Sequence, residues 1–173
     1  MKTDQQRVQA RDRMIAQRQA CNALFLATKN TDGTPEASHA PCLYFEDTFW
    51  LFLSTLSPHT GNIQRTGQLS VLVIDPDASP SNAFARRRQS LLCAAEVEQR
   101  ESVRANTVLD AFTAQFGDTV TMMRQLSDFS LYRLVPQSGR FIEGFGQAYE
   151  LSGDGLTTLD HIGPDRFKPN TSG

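Results

Sequence analysis

The chain has 173 residues, 39% of them hydrophobic, the size of one compact domain able to build a core without disulfide or metal staples. Lys and Arg number 17 against 19 Asp and Glu, so a net charge of -2 exerts no global pull on a polyanion, and nucleic-acid binding would need a local basic patch. No stretch approaches the roughly 20 apolar residues of a membrane span, and the N-terminus is polar where a secretory signal is apolar, so a cytoplasmic protein with neither nucleic acid nor membrane as partner is expected.

Met1 to Gln19 is rich in Gln, Arg and Asp with few apolar positions, which suits a solvated helix or a partner-covered arm that holds little core. Leu24 to Thr28 is a short apolar run that ends before Asp32-Gly33, a dipeptide suited to a hairpin turn. The next strand, about Pro35 to Tyr44, sets small residues (Ala37, Ser38, Ala40) around His39, so its backbone can be approached closely. Glu46-Asp47 turns the chain into a third strand, Thr48 to Ser54, rich in aromatic residues. Ser57 and Pro58 are placed to cap and open a short helix, and Leu69 to Ile74 is a further strand.

After a loop at 75–80, Arg86-Arg87-Arg88 is expected to open a strand that continues through Leu91, Leu92 and Val97. From about Ser102, Ala105, Val108, Leu109, Phe112 and Phe116 recur at helical spacing before Gly117, the clearest helix in the chain. A shorter helical piece through Val120, Met123 and Leu126 precedes two strands, Phe129 to Leu134 and Phe141 to Ala148, joined by a turn at Pro136-Gln137-Ser138-Gly139. The tail from Gly153 is polar. Six or seven strands at hairpin spacing with helices inserted late predict a mainly β (α+β) antiparallel barrel with peripheral helices. The predicted organisation is a helical arm over 1–20, a barrel domain over 21–155 and a tail over 156–173. Cys21, Cys42 and Cys93 are scattered and odd in number, and read as reduced packing residues.

Three segments carry chemistry. Ser54 to Asn62 concentrates hydroxyls, an amide and the His59 imidazole at a helix start, where unpaired N–H groups favour a phosphate or carboxylate; ordinary capping is the alternative. Along a strand Arg86 and Arg88 would point together as an anion fork, or simply sit in water. Gly144 to Ala148 permits close approach of a planar ligand to the backbone, or forms a β-bulge. His39, His59 and His161 fall in different segments, with no metal-binding pair and no nucleophile motif.

Taken together, LATKNTDGTPEASHAP, HTGN, FARRR, the FGD after the long helix, DFSLYRL and GRFIEGFGQAYEL resemble the bacterial heme-utilisation proteins related to pyridoxamine-phosphate oxidase, over about Leu24 to Gly155. The resemblance implies a split β-barrel that dimerises with its clefts at the interface, binding heme or flavin mononucleotide (FMN) there. It also implies an activity, either oxidative heme degradation or flavin-dependent redox chemistry, with a non-catalytic carrier as the alternative. On this chain it places Ser38, Ser54, His59, Thr60, Asn62, Arg86, Arg88, Phe145, Gly146 and Gln147 around the cofactor. Heme-degrading relatives carry an iron-ligating histidine in the tail, a few residues beyond a first His-Leu or His-Ile. Here the first position is His161-Ile162 and Arg166 occupies the second, which leaves His161 as the candidate iron ligand and favours holding over ring opening.

Overall fold

The computed structural model describes residues 4–76 and 80–163, the side chains of 80–82 excepted. They form, in order, α1 (Asp4–Gln19), β1 (Ala23–Lys29), β2 (Pro35–Phe45), β3 (Thr48–Ser54), α2 (Pro58–Thr66), β4 (Gln68–Ile74), β5 (Arg88–Val97), α3 (Val103–Phe116), α4 (Asp118–Met123), β6 (Phe129–Gly144), β7 (Gln147–Ser152) and β8 (Thr158–His161). Short 3-10 turns lie at Pro80–Ala85 and Asp154–Leu156. The sheet runs β3-β2-β1-β4-β5-β6-β7-β8, and a further β3–β6 pairing closes its first six strands into an antiparallel barrel that β7 and β8 extend.

The local chemistry explains the strands. Gly33 takes φ +89° in the β1–β2 turn, while Glu46 and Asp47 both adopt positive φ in the two-residue β2–β3 hairpin, the left-handed geometry that matches strand twist. β1 buries Leu24, Leu26 and Thr28 and turns Phe25 and Ala27 outward. β3 is buried on both faces and so reads as a continuous apolar run. Phe49, Leu51 and Leu53 fill the barrel, while Trp50 joins an outer cluster with Ala105, Val108, Phe112 and Val120 beneath α3 and α4. The Ser102 hydroxyl caps α3 by accepting from the Ala105 N–H at 2.9 Å. Ser57 occupies the same position before α2, but its side chain makes no capping bond.

Several expectations give way to packing. α1 is not a solvated arm, since it inserts Ala10 and Met14 into the barrel core and buries Gln17 and Arg18. Arg18, 1% exposed, donates to Gln89 Oε1 at 2.7 Å and to the carbonyls of Gly155 at 2.7 Å and Leu156 at 3.2 Å. Pro136 to Gly139 does not turn, and β6 runs straight through it. Pro136 faces Cys93 where the register shifts, a place that tolerates a missing donor. Gly139 is there for contact, because a Cβ on it would come within 2.6 Å of Leu91 Cδ2. The real turn is Phe145-Gly146, with Gly146 at φ +69°. The polar tail contains β8, whose Leu159 joins the core with Leu156.

Candidate functional site

An apolar cleft of about 420 Å³ opens on the barrel's outer wall, bounded by β2, the end of β3, the first turn of α2, the α3–α4 corner and the start of β6. Phe52, Phe112, Phe116, Val120, Met123 and Phe129 make its apolar walls; His39, Ser54, Ser57, His59 and Thr119 supply polar groups. His39 and Pro41 reach it from exposed positions of β2, where small neighbours leave the backbone open. Gly117 bends the chain between α3 and α4 at φ +79°, so that Phe116 and Met123 line the same space from two helices.

Among the residues singled out from sequence, Ser54 and His59 line this cleft. Ser54 Oγ also organises the loop below it, donating to Asp128 Oδ2 and accepting from the Leu56 N–H at 3.1 Å. His59 is 8% exposed; burial holds its pKa below the ordinary imidazole value, opposed only in part by the charge of Glu36. Its ring is therefore favoured in the neutral form, in which one nitrogen carries a lone pair. Thr60 is fully buried, and its hydroxyl has no hydrogen-bond partner among the described residues, nor has that of Ser38 on β2. Asn62 is engaged internally, donating to Thr28 Oγ1 at 3.1 Å and Asn30 Oδ1 at 2.9 Å, and so ties α2 to the end of β1.

The arginine fork does not form as the sequence implied. Arg86 precedes β5, so strand alternation does not apply to it, and its guanidinium donates to the carbonyls of Asp75 at 2.6 Å and Pro76 at 2.7 Å. Arg88 opens β5 and donates to the Arg86 carbonyl at 2.8 Å. Both side chains brace the chain beside the 75–76 turn. Arg86 also lines a second groove, of about 510 Å³, with Cys21, Phe25 and His39, so His39 stands between the two concavities. Phe145, Gly146 and Gln147 form the β6–β7 hairpin tip, with Phe145 86% exposed, and none of them lines the cleft. His161 is exposed on β8 and sets its ring edge-on to Tyr149 at 5.6 Å, also away from the cleft. Arg166 lies outside the described residues.

Sequence reading missed the contribution of the helices. Phe112, Phe116 and Met123 carry the spacing of core residues, and their second role as cleft wall depends on the Gly117 bend. A signal existed in the pair of aromatic residues just before a glycine stop, followed at once by another short apolar helix.

Residues 10–143 match the family model described as pyridoxamine 5'-phosphate oxidase. The heme oxygenase HutZ of Vibrio cholerae is 33% identical over 145 residues, which span 84% of this chain and 82% of that protein. A crystal structure of HutZ from Vibrio cholerae, there called a heme storage protein, superposes with a TM-score of 0.66 at 28% identity, covering 73% of this chain and 89% of the other. ChuZ of Campylobacter jejuni superposes at 0.80 with 24% identity, over 90% of this chain and 63% of its own, a likeness of fold. With that extent of match to the family model and to a relative, the chain belongs to the pyridoxamine 5'-phosphate oxidase family.

Proposed function

We propose that this chain binds heme in a site completed by a second copy of itself and serves heme utilisation in the cytoplasm. The observation that carries the reading is the aromatic-walled cleft with the His39 and His59 imidazoles at its polar side. A porphyrin needs a flat apolar slot, a neutral nitrogen donor and anchors for its carboxylates. The cleft offers the first, His59 the second, and the hydroxyls of Ser54 and Ser57 contribute to the third. Arg86, in the groove on the other side of His39, adds positive charge for a propionate. The similarity to a protein named for heme supports the same ligand.

Bound heme supplies a redox-active iron; the chain's own residues orient the ring and exclude water from its face. His161 does not line the cleft of its own chain, so as an iron ligand it would act on the cleft of the second copy. The outer barrel face supports pairing of copies. Ala27, Ala37, Ser70 and Ser90 make it flat, and Phe25 and Leu92 remain 52% and 38% exposed on it. Among the described residues no helix is long and apolar enough to cross a membrane.

A second reading, FMN, is favoured by the unpartnered hydroxyls of Ser38 and Thr60, in β2 and the first turn of α2, which could serve a phosphate. Titration with hemin and with FMN, followed by absorbance and by gel filtration, separates the two. The heme reading requires a shifted Soret band at one heme per chain on a dimer, and a monomer that binds neither ligand overturns it. Adding ascorbate and air to the heme complex then distinguishes the roles: steady loss of the Soret band marks ring opening, and a stable band marks a carrier.

A further inference from the structure

The three cysteines read from sequence as separate packing residues, yet the fold brings two of them together. Cys21 Sγ lies 3.8 Å from Cys42 Sγ, because the β1–β2 hairpin returns Cys42 to the segment leaving α1, where its N–H donates to the Asn22 carbonyl at 3.0 Å. A disulfide would need the sulfurs to close by about 1.8 Å, within the reach of small side-chain rotations. The two sulfurs differ in access. Cys21 is half-buried and lines the groove that also holds Phe25, His39 and Arg86, whereas Cys42 is fully buried. From this geometry we propose that Cys21 and Cys42 form a peroxide-reactive dithiol, with Cys21 attacking and Cys42 resolving, so that the chain carries a reversible intramolecular disulfide.

The chemistry balances with a hydroperoxide as the oxidant. The Cys21 thiolate attacks one peroxide oxygen, the O–O bond breaks, and the other oxygen leaves as water or an alcohol after taking up a proton. Sulfur has then lost two electrons and stands as a sulfenic acid. The Cys42 sulfur attacks the Cys21 sulfur, an S–S bond forms, the S–O bond breaks, and water leaves with the Cys42 proton. The hydrogen bond between the two sulfurs lowers the Cys21 pKa, and that bond together with burial raises the Cys42 value, which agrees with this division of roles. Cys93 is an internal control, buried in the barrel core, where burial pushes its thiol up to about 12. The proposal does not depend on which cofactor the cleft binds.

The test treats the full-length native protein with hydrogen peroxide and follows it by intact mass and thiol alkylation. The expected product has lost about 2 Da, protects Cys21 and Cys42 from alkylation while Cys93 stays reduced, runs as a single chain on a non-reducing gel, and is restored by dithiothreitol. Cys93→Ser should behave as wild type, Cys21→Ser should lose thiols at least tenfold more slowly, and Cys42→Ser should accumulate a dimedone adduct at Cys21. The wild-type mass alone is decisive should a variant fail to fold. A chain-to-chain disulfide, oxidation confined to Cys93, or over-oxidation of Cys21 with Cys42 still reduced would each overturn the assignment.

Discussion

The two ends of the barrel differ in how they treat their most buried polar side chains, although Arg87 Nε is buried without a partner among the described residues at the α1 end and Asn62 donates two hydrogen bonds at the α2 end. At the end closed by α1, beside the last residues of β4, Arg18 meets three neutral oxygens and Gln89 donates to Gln17 Oε1 at 2.9 Å and to the Met14 carbonyl at 3.0 Å. Those bonds join α1, β5 and the 3-10 turn before β8, so polarity there serves to fix the architecture. At the end closed by α2, beside the start of β4, the Thr60 hydroxyl is buried without a partner and His59 is held neutral next to an apolar cleft. Leaving such groups unsatisfied costs stability, by about 1 to 3 kcal/mol for a hydroxyl. The difference accords with the proposed reading, in which the first end serves structure and the second handles the ligand.

Substitutions at the two ends should therefore separate stability from binding. The largest effect is expected from Arg18→Ala, which strands three acceptors and opens a cavity; the urea midpoint should fall by an amount equivalent to about 3 kcal/mol or more, with hemin affinity unchanged in the folded fraction. Asn62→Ala lies at the α2 end but removes bonds that are already made, and should cost about 2 kcal/mol in the same measurement. Thr60→Val should do the reverse, raising stability by about 1 kcal/mol while weakening FMN binding, because it deletes a hydroxyl that nothing among the described residues satisfies. Should Thr60→Val destabilise and leave binding untouched, the contrast between the ends fails.

The smallest effect concerns pH. The His59 pKa is lower in the folded chain than the roughly 6.5 of a free imidazole, so the unfolded chain binds the proton more readily. This group makes no difference well above pH 6.5 and subtracts stability as pH falls below it. Urea midpoints at pH 7.5 and 5.5 should therefore differ more for wild type than for His59→Gln.

The barrel was legible in the sequence because its signals are local. Asp32-Gly33, the Glu46-Asp47 hairpin, the Thr48–Ser54 run and the Ser102 to Gly117 helix each depend on neighbours within a few residues. Pro136 and Gly139 misled because their reasons lie across the sheet, in the register shift at Cys93 and the contact with Leu91. α1 looked too polar to pack, since nothing nearby shows that Gln89 and two distant carbonyls would receive Arg18. Of the candidate cleft, His59 and Ser54 were singled out because they cluster in sequence, whereas Phe116 and Met123 were not, because a bend between helices brings them to it. Arg86 was expected within the strand that Arg88 opens but precedes it, because the turn that both side chains brace was invisible.

Hemin titration of wild type beside Met123→Trp asks whether heme occupies the cleft, since Met123 lines it from a half-buried position and an indole there would fill the slot with little demand on the core. A Soret shift is expected for wild type, with at least tenfold weaker binding for the variant at an unchanged urea midpoint. Equal affinity in both proteins would place heme elsewhere and contradict the proposed site.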